Sequence, residues 1–256
     1  MGRGTTDSGS EQAKLGNKAS FYDLAIKTAA WDEDNKILAG RCEVNGGTWC
    51  GVSKNGRVAF LVDTALVMND IKIRGGASEL IPIRFLKSTM TPKDYAKEVK
   101  NAEKECHNES RAYNLIVADV TSKEMYFIKK PLADKTRVDI SKVDFGVHTL
   151  SLAGLDGGED SRLKGLFKEM IDAHKNKQLP PLKELAQRLM YDPEPSFYFE
   201  TTDIPPNHGN EQRKRYGTTS TTALVVKPTK EVIFYEKHFE RPGVWTHHDF
   251  TFNITA

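Results

Sequence analysis

Thr48-Trp49-Cys50-Gly51-Val52-Ser53-Lys54-Asn55-Gly56-Arg57-Val58-Ala59-Phe60-Leu61-Val62 decides the fold class. Two runs rich in β-formers flank Asn55-Gly56, a pair that suits the positive φ angles of a two-residue type I′ hairpin turn. The second run is apolar at every position, as in a strand covered on both faces. Working outward, residues 113–120 with 125–128, and 222–227 with 232–236, repeat the hairpin pattern, so neighbouring strands should run antiparallel. Helices are expected in three places. Thr91-Pro92 reads as an N-cap followed by proline at the first helical position, with Asp94 suiting the macrodipole. Leu163, Leu166, Phe167, Met170 and Ile171 recur at helical spacing, and Leu182, Leu185, Ala186 and Leu189 do so after Pro180-Pro181, each predicting an amphipathic helix laid on something apolar. Pro82 predicts that a helix in residues 78–87 is kinked or starts late. Residues 192–210, with four prolines, read as a long irregular loop. Hairpins with helices grouped between them define an α+β layered domain rather than a doubly wound one.

Residues 1–16 hold one large apolar residue, Leu15, and read as a flexible polar tail, leaving a single domain over 17–256. The chain has 256 residues, 37 basic against 35 acidic, and Arg213-Lys214-Arg215 as its one local basic cluster, which argues against nucleic acid as a partner. No stretch approaches the length of a membrane span. Three cysteines, Cys42, Cys50 and Cys106, without CxxC spacing suit reduced thiols in an intracellular, cytoplasmic setting and argue against a metal site or disulfide framework. Gly2 with Thr6 matches the N-myristoylation pattern, a weak membrane anchor if used.

Candidate chemistry is sparse. Gly46-Gly47-Thr48-Trp49 lacks a following Lys-Ser/Thr pair and reads as a turn into a strand. Arg74-Gly75-Gly76 could present backbone N–H groups to an anion. His148, in Gly146-Val147-His148-Thr149-Leu150-Ser151, alternates with Val147 and Thr149 as on one face of a strand, either as a ligand contact or as a hydrogen-bonded structural residue. His247-His248 would point to opposite faces and cannot easily share an ion. Tyr216-Gly217-Thr218-Thr219-Ser220-Thr221-Thr222 either lines a polar pocket or places β-formers on an exposed face. Neither a GxSxG elbow nor a cysteine in a nucleophile's context is present, so no catalytic residue is assigned.

Several of these pieces together resemble the transport and Golgi organization protein 2 family, also called the NRDE family after its Asn-Arg-Asp-Glu motif. They are Leu38-Ala39-Gly40-Arg41, Gly46-Gly47-Thr48-Trp49-Cys50-Gly51-Val52-Ser53, Gly56-Arg57-Val58-Ala59-Phe60-Leu61, Arg74-Gly75, Tyr113-Asn114-Leu115-Ile116-Val117-Ala118-Asp119, Gly146-Val147-His148 with Leu150-Ser151, Leu155-Asp156, and Tyr216-Gly217-Thr218 with Ser220-Thr221. The resemblance implies an N-terminal-nucleophile-hydrolase-like four-layer αββα sandwich of antiparallel sheets. It also implies a role in Golgi and endoplasmic reticulum organisation and secretion, or in trafficking a hydrophobic ligand such as haem carried as cargo, with association to Golgi or mitochondria. Departures from the family pattern are specific. Asn17-Lys18-Ala19-Ser20 stands in place of Asn-Arg-Asp-Glu, the chain opens Met1-Gly2 where members carry Met-Cys, Cys42 replaces an acid, Leu152 an asparagine and Thr219 an arginine, and no Pro-Trp follows Asp156. The expectation is therefore a non-catalytic member, with ligand contacts at Trp49, Arg74, His148, Tyr216 and Ser220; the alternative is a hydrolase of amide or ester bonds. A first strand missing from its sheet would leave a bare edge for the tail to cover.

Overall fold

The computed structural model describes residues 12–21, 26–64, 78–106, 111–132, 134, 136–157, 161–174, 180–190, 202–204, 214–241 and 244–255. In chain order the elements are β1 (Gln12–Phe21), β2 (Ile26–Trp31), β3 (Ile37–Cys42), β4 (Cys50–Ser53), β5 (Arg57–Asp63), α1 (Leu80–Lys87), α2 (Pro92–Cys106), β6 (Tyr113–Asp119), β7 (Glu124–Lys130), β8 (Asp139–Lys142), β9 (Leu150–Ser151), β10 (Gly154–Leu155), α3 (Ser161–Ala173), α4 (Leu182–Met190), β11 (Thr202–Ile204), β12 (Lys214–Val226), β13 (Glu231–Arg241) and β14 (Val244–Asn253). The class is α+β, and every strand pairing is antiparallel.

One sheet is a seven-stranded meander in the order β2-β3-β4-β5-β6-β7-β8. The period of two sorts its strands between two environments. Ala59 and Leu61 of β5 join Ile37, Ala39, Leu115, Val117 and Ile128 beneath α1 and α2, which contribute Ile81, Phe85, Tyr95, Ala96 and Val99. Val58 and Phe60, the alternate positions, face the second sheet. The all-apolar run thus is a strand covered on both sides. The second sheet runs β1-β12-β13-β14, with β11 pairing the start of β12. Its inner positions Leu224, Val226, Val232, Phe234, Phe250 and Phe252 share one core with Leu38, Trp49, Cys50, Val52 and Val58 of the first. Its outer positions Ala223, Val225 and Tyr235 are covered by Leu182 and Ala186 of α4.

Several local expectations are met in detail. The Thr91 hydroxyl accepts from the Asp94 N–H at 3.1 Å and donates to the Asp94 carboxylate at 2.9 Å, capping α2. Helix α1 does start late, at Leu80, so that Pro82 falls in its first turn where no i−4 bond is lost. Gly46 has φ +70°, and a Cβ on Gly47 would stand 2.5 Å from the Glu79 Cβ, so Gly46-Gly47 is a turn pressed against the start of α1.

Other readings are corrected. At the first hairpin only Gly56 has positive φ (+81°), and its N–H bonds to Ser53 O at 3.0 Å. That geometry is a type I turn followed by a left-handed glycine, not the type I′ turn expected of Asn55-Gly56. Residues 12–16, read as part of a tail, open β1, whose register with β12 runs from Gln12↔Val226 to Phe21↔Tyr216 with a bulge at Lys18/Ala19. A partner strand two hundred residues away supplies the order that local composition does not. His148 lies in the loop before β9 rather than on a strand. A short strand, β11, interrupts the segment read as one irregular loop. Helix α3 has no buried residue, so its apolar stripe is only partly covered, while α4 packs as expected.

Candidate ligand site between the sheets

Along β13 the inward positions are Val232, Phe234, Glu236 and His238. The first two are core; the next two turn that layer polar. Register places Thr222 and His248 on either side of Glu236, and Ser220 and Thr246 on either side of His238. The facing sheet contributes Ala29, Gly40 and Trp49. A Cβ on Gly40 would stand 2.9 Å from Trp49 Cζ2 and 3.1 Å from Glu236 Oε1, so the bare glycine lets the indole and the carboxyl meet over β3.

Glu236 is 1% exposed, and its Oε2 accepts the Ala29 N–H at 2.5 Å. Burial disfavours its charge more than that single donor favours it, and pushes the carboxyl up to about 7. Near neutrality it is poised to donate a hydrogen bond as an acid or accept one as a carboxylate. The Thr246 Oγ1 lies 2.7 Å from His238 Nδ1, and the His238 ring stacks on His248 at 5.8 Å. Burial first, and then the neighbouring His248, hold it below the usual imidazole range. Ser220 Oγ is buried and has no hydrogen-bond partner among the described residues. An orphaned buried hydroxyl on the same face as a protonatable buried carboxyl, one cross-strand pair away, gives this layer polar groups of the kind ligand sites set into apolar walls.

A second polar cluster holds the β9–β10 hairpin. His148 Nδ1 contacts Asp156 Oδ2 at 2.8 Å and Nε2 contacts Asp144 O at 2.9 Å. Both partners are acceptors, so both ring nitrogens are engaged within the loop. Burial pushes the Asp156 carboxyl up, but the Lys164 ammonium at 2.8 Å, His148 and the Thr149 N–H outweigh it and hold the carboxyl below its ordinary range. Asn114 donates to Ser151 O and Leu152 O at 2.8 and 3.1 Å, and Lys129 to Ala153 O at 3.1 Å. Those two residues are a register pair on the face of β6 and β7 turned away from the helices. The hairpin therefore lies on the same side of the seven-stranded sheet as the second sheet does.

Of the residues expected at a site, Trp49 and Ser220 are brought into the inter-sheet layer, Trp49 near Glu236 over Gly40 and Ser220 opposite His238. His148 belongs to the hairpin cluster. Tyr216 sits in β12 opposite Phe21 and Thr202. Arg74 lies outside the described residues. The hydroxyl run is buried on both faces of β12: Thr218, Ser220 and Thr222 share the inward parity of Leu224, and Thr219 and Thr221 the outward parity of Ala223 and Val225. Glu236 was missed by sequence reasoning, although the alternation Val232, Phe234, Glu236 puts an acid on the apolar face of its strand. Cys50 packs in the inter-sheet core and Cys42 is a half-buried free thiol. Among the described residues no His, Cys, Asp or Glu group is arranged to hold a metal ion, and no helix is long and apolar enough to cross a membrane.

The family model described as Transport and Golgi organisation 2 matches residues 15–241, and the chain belongs to that family. It is similar to the Transport and Golgi organization protein 2 homolog of Bos taurus, 32% identical over 112 residues, covering 42% of this chain and 38% of the relative. The homolog of Homo sapiens is 33% identical over 110 residues, covering 41% of this chain and 38% of the relative. The aligned stretch thus spans well under half the length of either curated relative.

Proposed function

We propose that this chain is a non-catalytic member of its family that carries a hydrophobic ligand, haem among the candidates, in the layer between its sheets. It does so in support of Golgi and endoplasmic reticulum organisation and secretion, from a cytoplasmic position at the Golgi or mitochondria. The observation that carries the reading is a set of polar groups built into an apolar layer: Glu236 near Trp49 over Gly40, and, further along the same face, the orphaned Ser220 hydroxyl opposite His238. An apolar body lodged in this buried layer near Trp49, with polar ends reaching Ser220 and Glu236, suits the chemistry of the side chains there. The sequence motifs add Arg74, His148 and Tyr216 to the proposed contacts. With both His148 nitrogens engaged, haem as cargo would be held by its apolar face and propionates rather than through iron on that residue. The non-catalytic part is supported by Cys50, packed among aliphatic side chains as a small hydrophobe.

Titration of the full chain with haem and, separately, with 8-anilinonaphthalene-1-sulfonate tests it. The expected result is saturable one-to-one binding of at least one probe, weakened about tenfold or more by Ser220→Ala or Trp49→Phe. Absence of saturable binding of either probe overturns the carrier reading. The hydrolase alternative is favoured by the placement of helices outside two facing antiparallel sheets, the layering of N-terminal-nucleophile hydrolases. Turnover of an acyl-amide or ester panel, lost on Cys42→Ala or Ser20→Ala, would replace the carrier reading with it.

A further inference from the structure

Strand β14 ends its sheet, and among the described residues nothing pairs with its outer edge. It is ten residues long, contains no Lys, Arg or Pro, and carries Asp249 as its one formal charge, so it has few of the devices by which natural edge strands discourage pairing. Its outward positions His247, Asp249, Thr251 and Asn253 are exposed. The bulge between β13 and β14 falls at Phe239/Arg241, near the turn, leaving the rest of the edge regular.

We propose that this edge pairs with the same edge of a second copy of the chain, joining two five-stranded sheets into one. A two-fold axis normal to the sheet keeps inner faces together, so only registers that pair like-facing residues are allowed. Two such registers overlap nearly the whole strand. One centres on Asp249 and sets that carboxylate against its own copy. The other centres on His248, and sets His247 of each chain opposite Asp249 of the other, so that an imidazole N–H can meet a carboxylate twice on the outer face. On the inner face the second register pairs Thr246 with Phe250 and Val244 with Phe252, and brings the two His248 rings together. It is selected because it avoids the carboxylate-on-carboxylate pair of the first register and gives each Asp249 an imidazole partner. The interface is a narrow one, made mainly of main-chain hydrogen bonds, and fits a reversible dimer of micromolar strength.

Sedimentation velocity on the full chain from about 1 to 100 μM should show the mass rising from 28.7 kDa toward twice that value. Asp249→Lys should weaken association about tenfold, and adding His247→Glu to it should restore association to within about threefold of the parent. Both sites are exposed on the outer face, and circular dichroism checks that the variants are folded. Should Asp249→Lys not fold, Thr251→Lys on the same edge replaces it, with loss of the dimer expected. A monomer throughout that concentration range, association unchanged by the lysine, or a folded double variant that stays monomeric each overturns the proposal. Pairing through this edge leaves ligand titration as an independent measurement.

Discussion

At the residue scale, Glu236 sets a measurable pH dependence. Below about pH 4.5 its carboxyl is protonated in the folded and unfolded chain alike, so burial carries no ionic penalty. As pH rises toward about 7 the unfolded chain gives up that proton while the folded one keeps it, and stability falls across this window. Above it the folded protein bears the full cost of a buried carboxylate, on the order of 3 kcal/mol for a shift of this size. Glu236→Gln keeps an oxygen to accept the Ala29 N–H and removes the charge. The variant should therefore exceed the parent in stability by about 2–3 kcal/mol at pH 8 and differ by less than about 1 kcal/mol at pH 4, as read from urea midpoints. Equal stabilities at pH 8 would show that the carboxyl is not charge-penalised where it sits. No local signal in Glu231-Val232-Ile233-Phe234-Tyr235-Glu236 reveals this. The strand pattern puts the acid on the inner face, but its penalty comes from Trp49 and Gly40, nearly two hundred residues earlier in the chain.

At the element scale, legibility followed how far each element's determinants reach along the chain. The Thr91 cap and the late start of α1 depend on neighbours within a turn, and both were readable. So was the pairing of β4 with β5 and of β6 with β7, though the first turn adopts a different type because its single left-handed residue is Gly56. Strand β1 was unreadable because its order comes from β12. Helices α3 and α4 make the same point in contrast. Both carry apolar stripes of similar spacing, yet only α4 has buried residues, Leu182, Leu185 and Ala186. Periodicity shows that a face can be buried, not that a partner is present to bury it. Protection from exchange tracks burial of this kind, so backbone amides of α3 should exchange at least about tenfold faster than those of α4 in native-state hydrogen exchange. Matching protection in the two helices would mean that α3 is held by contacts stronger than its Lys164–Asp156 pair and its partly covered stripe.

At the scale of the whole molecule, the inner faces of the two sheets share one core. Leu38, Trp49, Cys50, Val52 and Val58 of one meet Leu224, Val232, Phe234 and Phe252 of the other in a single cluster, and the Ala29 to Glu236 bond crosses the same boundary. Neither sheet retains a covered inner face if the other leaves. The outer layers are dispensable to this argument, since the core beneath α1 and α2 and the one beneath α4 each involve one sheet alone. The buried ions Glu103 and Lys130, 3.1 Å apart, tie α2 to β7 and likewise do not span the sheets. Unfolding should then be one cooperative event for both sheets. Trp49, buried at the junction, reports it directly once Trp31 and Trp245 are replaced by phenylalanine. In that variant the urea transition followed by Trp49 fluorescence should coincide with the one followed by far-ultraviolet circular dichroism. A fluorescence transition that precedes the loss of secondary structure would mean the sheets part before they unfold, and that the shared core is not what holds the molecule together. Trp49→Ala should in turn cost about 3–5 kcal/mol, the range for deleting a large aromatic from a packed interior, because both sheets lose the same contact at once.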